Sequence, residues 1–186
     1  MQKFMQDHEQ ETFNKYYSEE QFKELLQHAP TESNYDIAMM LGYHAGLRLS
    51  EACALTWNHV NFRDQLLTID QKLIFHNGDW DYKKLSNPRT VVINDYLILK
   101  LVKHRTFQAL ATVNKERQHL NWNVVTSANG DLFNFPDAIF ANHKLTQSSG
   151  EEFFFHNLRN SYLLNEIYVS DETDEFLEDL ELKGAV

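Results

Sequence analysis

"HAGLRLSEACAL", residues 44–55, sets one arginine in a run of small and apolar residues. A guanidinium is costly to desolvate without a partner, so Arg48 must either meet a structural carboxylate or stand ready for an external anion. The flanking sequence says what kind of structure carries it. Tyr35 to Ala45 reads as an apolar helix, and Gly46 is suited to a left-handed stop. Ser50 is then expected to cap a third, short helix with Glu51 in its first turn and Ala52 and Leu55 facing inward.

Working outward, Ser18 is expected to cap an earlier helix, with Glu19 and Glu20 in its first turn and Phe22, Leu25 and Leu26 on its apolar face. Downstream the period changes. "LLTIDQKLIF" is rich in strand formers, and Asn77-Gly78 is a strong hairpin signal. "WDYKK" reads as a second strand, "LSNP" as a second turn and "RTVVI" as a third strand. Helices follow over about 95–113, near 136–146 and over 156–168, with an acidic helix over 172–182. The expected fold is mainly α with a small three-stranded antiparallel sheet. Residues 1–17 form a lead-in, and 18–186 one domain.

At 186 residues, 42% hydrophobic and 24% charged, the chain can build one ordinary core. No apolar run is long enough to span a membrane and the N-terminus has no signal-peptide core, so a cytoplasmic protein is expected. The lone Cys53 agrees with a reducing compartment. The net charge of −10 is unevenly spread: residues 151–186 carry ten acids and two bases, whereas the first 150 carry seventeen and fifteen. A locally basic surface therefore remains possible despite the acidic total. No two of the nine histidines are closer than thirteen residues, so no helical turn supplies a chelating pair and no metal site is expected.

Singly, the remaining polar residues have ordinary explanations. Arg48 can pair with Glu51, Lys83 and Lys84 can be solvated beside a turn, and His156 and Arg159 share a helical face at i, i+3. In order along the chain they are more specific. "GLRLSEACALTW", a sheet with a lysine before "RTVVI", and "HNLRNSY" together resemble the catalytic domain of the tyrosine recombinase (phage integrase) family. Its first box, T-G-L-R-x-S-E-x-x-x-L-x-W, is matched by Gly46, Leu47, Arg48, Ser50, Glu51, Leu55 and Trp57, with Ala45 in place of threonine. Its third, H-x-L-R-H-T, is matched by His156, Leu158 and Arg159, with Asn160 and Ser161 substituting. The family's sheet lysine falls on Lys83 when counted back from Arg89.

The resemblance implies a chemistry. A tyrosine attacks a DNA phosphodiester, leaving a 3′-phosphotyrosyl link and a free 5′-hydroxyl. Arg48 and Arg159 would stabilise charge on the phosphate oxygens, since each guanidinium presents a permanently charged planar fork. Lys83 would protonate the leaving oxygen, His156 would assist proton transfer or bind phosphate, and Glu51 would hold Arg48 or His156 in place. Lys84, Arg89, Lys103 and Arg105 are candidate contacts to the DNA backbone. The implied partner is double-stranded DNA, bound in a salt-dependent way by a tetramer, with no cofactor because the bond energy is kept in the covalent link. The family's nucleophilic tyrosine, with its L-G-H box, is not evident in the thirty residues after His156, so a fragment ending before it is expected. Tyr162 falls where the family packs an aromatic inside, and Tyr168 is read as an ordinary helix residue. A recombinase-like domain that only binds or regulates DNA is the alternative.

Overall fold

The computed structural model describes residues 15–30, 34–112, 123–127 and 130–166. Helix α1, Glu19–Gln27, begins at Ser18, whose Oγ accepts from Gln21 N (3.3 Å) while Gln21 Oε1 accepts from Ser18 N (2.9 Å). This reciprocal pairing satisfies two N–H groups that a helix start otherwise leaves open. Helix α2, Tyr35–Ala45, is the centre of the molecule. It is apolar around nearly its whole circumference, and Ile37 to Tyr43 are all buried, as expected of a core helix. Its left-handed stop at Gly46, φ 63°, is observed.

Helix α3, Leu49–Ala54, starts two residues earlier than a Ser50 cap would place it. Arg48 occupies the cap position, and its N–H donates to Glu51 Oε2 at 2.9 Å. The carboxylate three residues on reaches back more effectively than the serine hydroxyl would, so Ser50 lies inside the helix. A 3-10 turn, Trp57–His59, leads into strand β1, Val60–Asn61, which pairs with β2, Leu66–His76; β2 then pairs with β3, Asp79–Val92, in the order β1-β2-β3.

The expected sheet of three antiparallel strands is present, but its members differ from the sequence reading. "WDYKK" and "RTVVI" are the two halves of a single strand, β3, and Val60–Asn61 is the remaining strand. "LSNP" is a break in register: Ile69 faces Arg89 and Gln71 faces Lys84, so two steps along β2 answer five along β3. Pro88 cannot donate to a ladder, and a bulge absorbs it without turning the chain. The Asn77-Gly78 hairpin turn is found, with both residues at positive φ.

Helix α4, Asp95–Thr112, buries Leu97, Leu101 and His104. Helix α5, Phe135–Ser149, is capped by Asn134 and Asp137 and closed by Gly150 at φ 74°. Helix α6 covers 156–166. The expected acidic helix over 172–182, and Tyr168, lie outside the described residues. Helix α6 is brought close to α2 by two glycines one turn apart. A Cβ on Gly42 would come within 3.0 Å of the Phe155 ring and 3.2 Å of Leu158 Cβ; one on Gly46 would lie 2.4 Å from Tyr162 Cδ1. Tyr162 is thus the packed aromatic that the sequence pattern called for. Ser161 is buried and accepts from Tyr17 N (2.9 Å) while donating to Asn157 O (2.8 Å), which ties the lead-in to α6.

At the end of α2, His44 sits among the rings of Phe22, Tyr43 and Tyr96, with centroids 5.6, 5.0 and 5.4 Å away. Burial pushes its pKa down to about 4. A folded pKa below the ordinary value of about 6.5 means that this contribution to stability is complete above pH 6.5 and lost as pH falls towards 4. Between pH 7 and pH 5 the group should remove roughly 2 kcal/mol, at about 1.4 kcal/mol per pH unit in this window. Urea unfolding of the wild type and His44→Phe at the two pH values measures this: the wild type should lose more. Equal losses would contradict the assignment.

Candidate phosphate-binding site

Glu51 lies at the centre of a group of arginines. Its side chain is 1% exposed and its carboxylate is gripped at both oxygens by Arg89: Nη1 to Oε1 at 3.0 Å and Nη2 to Oε2 at 2.7 Å. Arg48 adds its backbone N–H at 2.9 Å and a longer Nη1 contact at 3.4 Å. Burial alone would raise the Glu51 pKa; the hydrogen bonds from Arg89 and the Arg48 backbone, with both guanidinium charges, outweigh it and hold the carboxyl below its ordinary range. The planar fork of Arg89 matches the carboxylate geometry, which is why arginine suits this buried pair better than lysine.

A second acceptor gathers the remaining cation. The Gly46 carbonyl receives Arg89 Nη2 at 3.3 Å and also Arg159 Nη1 from α6. Helix α6 can deliver Arg159 there because Gly42 and Gly46 let it approach. Burial, followed by the neighbouring charges of Arg89 and Arg48, pushes the Arg159 pKa below that of a free guanidinium. Three positive groups therefore surround one negative one. Arg48, whose side chain is 60% exposed, directs its surplus charge to solvent. Such an arrangement is chemically suited to a phosphate group, which can take several charge-assisted bonds from two forks.

Of the expected site residues, Arg48, Glu51 and Arg159 are brought together, and Arg89 joins them. Arg89, expected as a DNA contact, has both terminal nitrogens on the Glu51 carboxylate. The sequence held part of a signal for this: Arg89 and Val91 near the end of β3 and Ile93 just past it alternate with more exposed residues, though the spacing does not name the partner carboxylate. His156 is exposed at the start of α6, three residues before Arg159. Lys83 faces Lys72 across the ladder, and among the described residues its ammonium has no ion-pair or hydrogen-bond partner. Lys84 faces Gln71 and pairs with Asp70 at 2.5 Å; the other Asp70 oxygen lies 3.1 Å from His59 Nε2. Since Gln71 bonds Ala54 O at 2.8 Å, the register sets Lys84 on the sheet face towards α3 and Lys83 on the other. Lys103 lies 5.9 Å over the Phe107 ring, and Arg105 lies 5.6 Å over both Trp57 and Phe62. Among the described residues no cluster of three His, Cys, Asp or Glu could hold a metal ion.

Tyr162 is a structural residue: its ring rests on Gly46, and burial, with Glu166 nearby, pushes its pKa up.

The phage integrase family matches residues 15–167, and the chain belongs to that family. Among solved structures it is similar to the Tn1549 transposon integrase in complex with transposon right end DNA, at 16% identity and a TM-score of 0.62, over 80% of this chain and 52% of that one. It is likewise similar to XerA recombinase, at 15% identity and a TM-score of 0.59, over 82% of this chain and 49% of that one. The chain thus spans about half the length of these relatives. No curated protein sequence matches it.

Replacing Glu51 by Gln should cost about 3 kcal/mol, because it leaves the Arg89 and Arg159 charges close together without their carboxylate. The variant should also lose an acid-range slope: a depressed carboxyl pKa gives stability that is present above the unfolded value and lost as pH falls through the folded one. Urea unfolding across pH 3 to 7 tests both points. A variant as stable as the wild type at pH 7 would show that Glu51 does not organise the cluster.

Proposed function

We propose that residues 18–186 form the catalytic domain of a site-specific tyrosine recombinase that cuts and rejoins DNA in the movement of a mobile element. The observation that carries this reading is the Arg48–Arg89–Arg159 cluster around one buried carboxylate, with Arg48 open to solvent. Arg48 and Arg159 receive the scissile phosphate and stabilise the charge that accumulates on its oxygens. A tyrosine hydroxyl attacks phosphorus and the bond to the 5′-oxygen breaks. A lysine of β3 protonates that leaving oxygen: Lys83 is favoured by family spacing and by an ammonium without an ion-pair partner among the described residues, Lys84 by its sheet face. His156 assists proton transfer or binds the phosphate. The nucleophile is not assigned to any described tyrosine. Lys103 and Arg105 add contacts to the DNA backbone. The full protein acts as a tetramer on paired DNA sites in the cytoplasm, without ATP or a metal cofactor. Within the described residues no helix is long and apolar enough to cross a membrane.

A second reading is a recombinase-like domain that binds or regulates DNA without cutting it. The charge of −8 over residues 151–186 favours it, because an acidic segment competes with DNA for the same arginines.

Fluorescence anisotropy with a labelled duplex tests the shared claim. Arg48→Ala and Arg159→Ala should each weaken binding about tenfold and lower the salt slope by about 0.9 for each phosphate no longer neutralised. Undiminished binding in both variants would remove the assignment. Covalent trapping on a nicked half-site duplex separates the two readings: a recombinase yields a denaturant-resistant protein–DNA product, and a binding domain does not.

A further inference from the structure

The lysine-bearing stretch of β3 needs its own anchor. The break in register between Ile69 and Gln71 separates the outer hairpin, Gln71 to Lys84, from the inner ladder that carries Arg89. Ladder bonds beyond a bulge do not by themselves fix where the hairpin sits relative to the body. The buried Leu73 and the Trp80 ring stacked on Phe135 hold it apolarly, and two polar contacts, both ending on the same short helix, add direction. Gln71 Nε2 donates to Ala54 O at 2.8 Å. Asn123 Nδ2 donates to Cys53 O at 3.1 Å, and Asn123 Oδ1 accepts from the Tyr82 hydroxyl at 3.1 Å. The amide orientation follows from chemistry: a carbonyl only accepts, so Nδ2 must face Cys53 and Oδ1 is left for the phenol to donate to. Asn123 is itself held in place. It bridges Thr56, and the next residue, Val124, donates its N–H to Leu55 O at 2.8 Å. Cys53 O, Ala54 O and Leu55 O are carbonyls that the end of α3 leaves open, and all three are filled by these donors.

We infer that Tyr82 is a positioning residue: its hydroxyl, through Asn123, ties the Lys83–Lys84 stretch of β3 to the helix whose other end is capped by Arg48. This rests on the DNA-strand reading given above and extends it to a residue that touches neither phosphate nor leaving group. Tyr82 is 42% exposed and immediately precedes Lys83, so the hydroxyl can be removed without opening the core. The tether sets the lysines at a fixed distance from the arginines, which matters because small displacements of a proton donor remove its contribution.

The test is Tyr82→Phe in the full chain, with two readouts. In residue-resolved hydrogen exchange on the free protein, amides of residues 79–84 should exchange at least about fivefold faster than in the wild type, with α2 and α3 unchanged. In the second, lysines are reductively methylated with carbon-13, and the Lys83 and Lys84 methyl signals are assigned through Lys83→Arg and Lys84→Arg. A duplex oligonucleotide should move at least one of these signals in the wild type. In Tyr82→Phe the duplex should bind with unchanged affinity, and that movement should fall by half or more. Unchanged exchange at 79–84, or a full-sized lysine response in Tyr82→Phe, would overturn the tether. A wild type that binds no duplex would overturn the DNA-strand reading instead, and the exchange rates alone would then decide the role of Tyr82.

Discussion

A carboxylate buried as deeply as Glu51 would be unstable without compensation, because removing it from water costs several kcal/mol. Arg89 offsets this with two parallel hydrogen bonds, and the Arg48 N–H adds a third. That requirement organises the whole region. It fixes the inner end of β3 against α3, and it places the Arg89 charge beside Gly46 and Arg159. Like charges at such distances repel in proportion to how poorly they are solvated. One buried negative charge therefore permits three guanidiniums to share a small volume, and in the proposed function an arriving phosphate would relieve the excess that remains.

Two backbone devices complete the geometry. The Gly42–Gly46 seam lets α6 approach α2 closely enough for Arg159 to reach the Gly46 carbonyl, and Tyr162 fills the space that a side chain on Gly46 would occupy. The short helix α3 is used at both ends. Its first turn holds Arg48 through Glu51, and the carbonyls at its last turn hold the hairpin and the Asn123 segment. A helix of six residues has little stability of its own. Here its exposed polar groups are satisfied by the elements that carry the other charged residues of the site.

Much of this was legible in the sequence because the signals are local. The caps at Ser18 and Gly46, the Asn77-Gly78 turn and the apolar run of α2 each depend on a few neighbouring residues. The pattern around Arg48 and Arg159 was readable because residue types and order carry it. What the sequence did not disclose depends on partners far along the chain. Pro88 reads as a turn residue, and only pairing with β2 shows that a bulge absorbs it. Arg89 alternates with Val91 and Ile93, but its partner stays hidden until Glu51, 38 positions earlier, is seen between its nitrogens. Tyr82 reads as one more residue of a strand and Asn123 carries no signal of its own, and their connection exists only in three dimensions. Ser50 was displaced as a cap by a carboxylate three residues after Arg48, a competition that spacing alone does not resolve.

The proposed function divides labour among three arginines: Arg89 serves the fold, while Arg48 and Arg159 would serve an incoming phosphate. The most direct measurement follows the Nε–Hε resonances of the three side chains by nitrogen-15 NMR during titration with a short duplex. The account predicts saturable shifts at Arg48 and Arg159, with Arg89 unmoved in its pairing with Glu51. Shifts at Arg89 while Arg48 and Arg159 stay silent would contradict it.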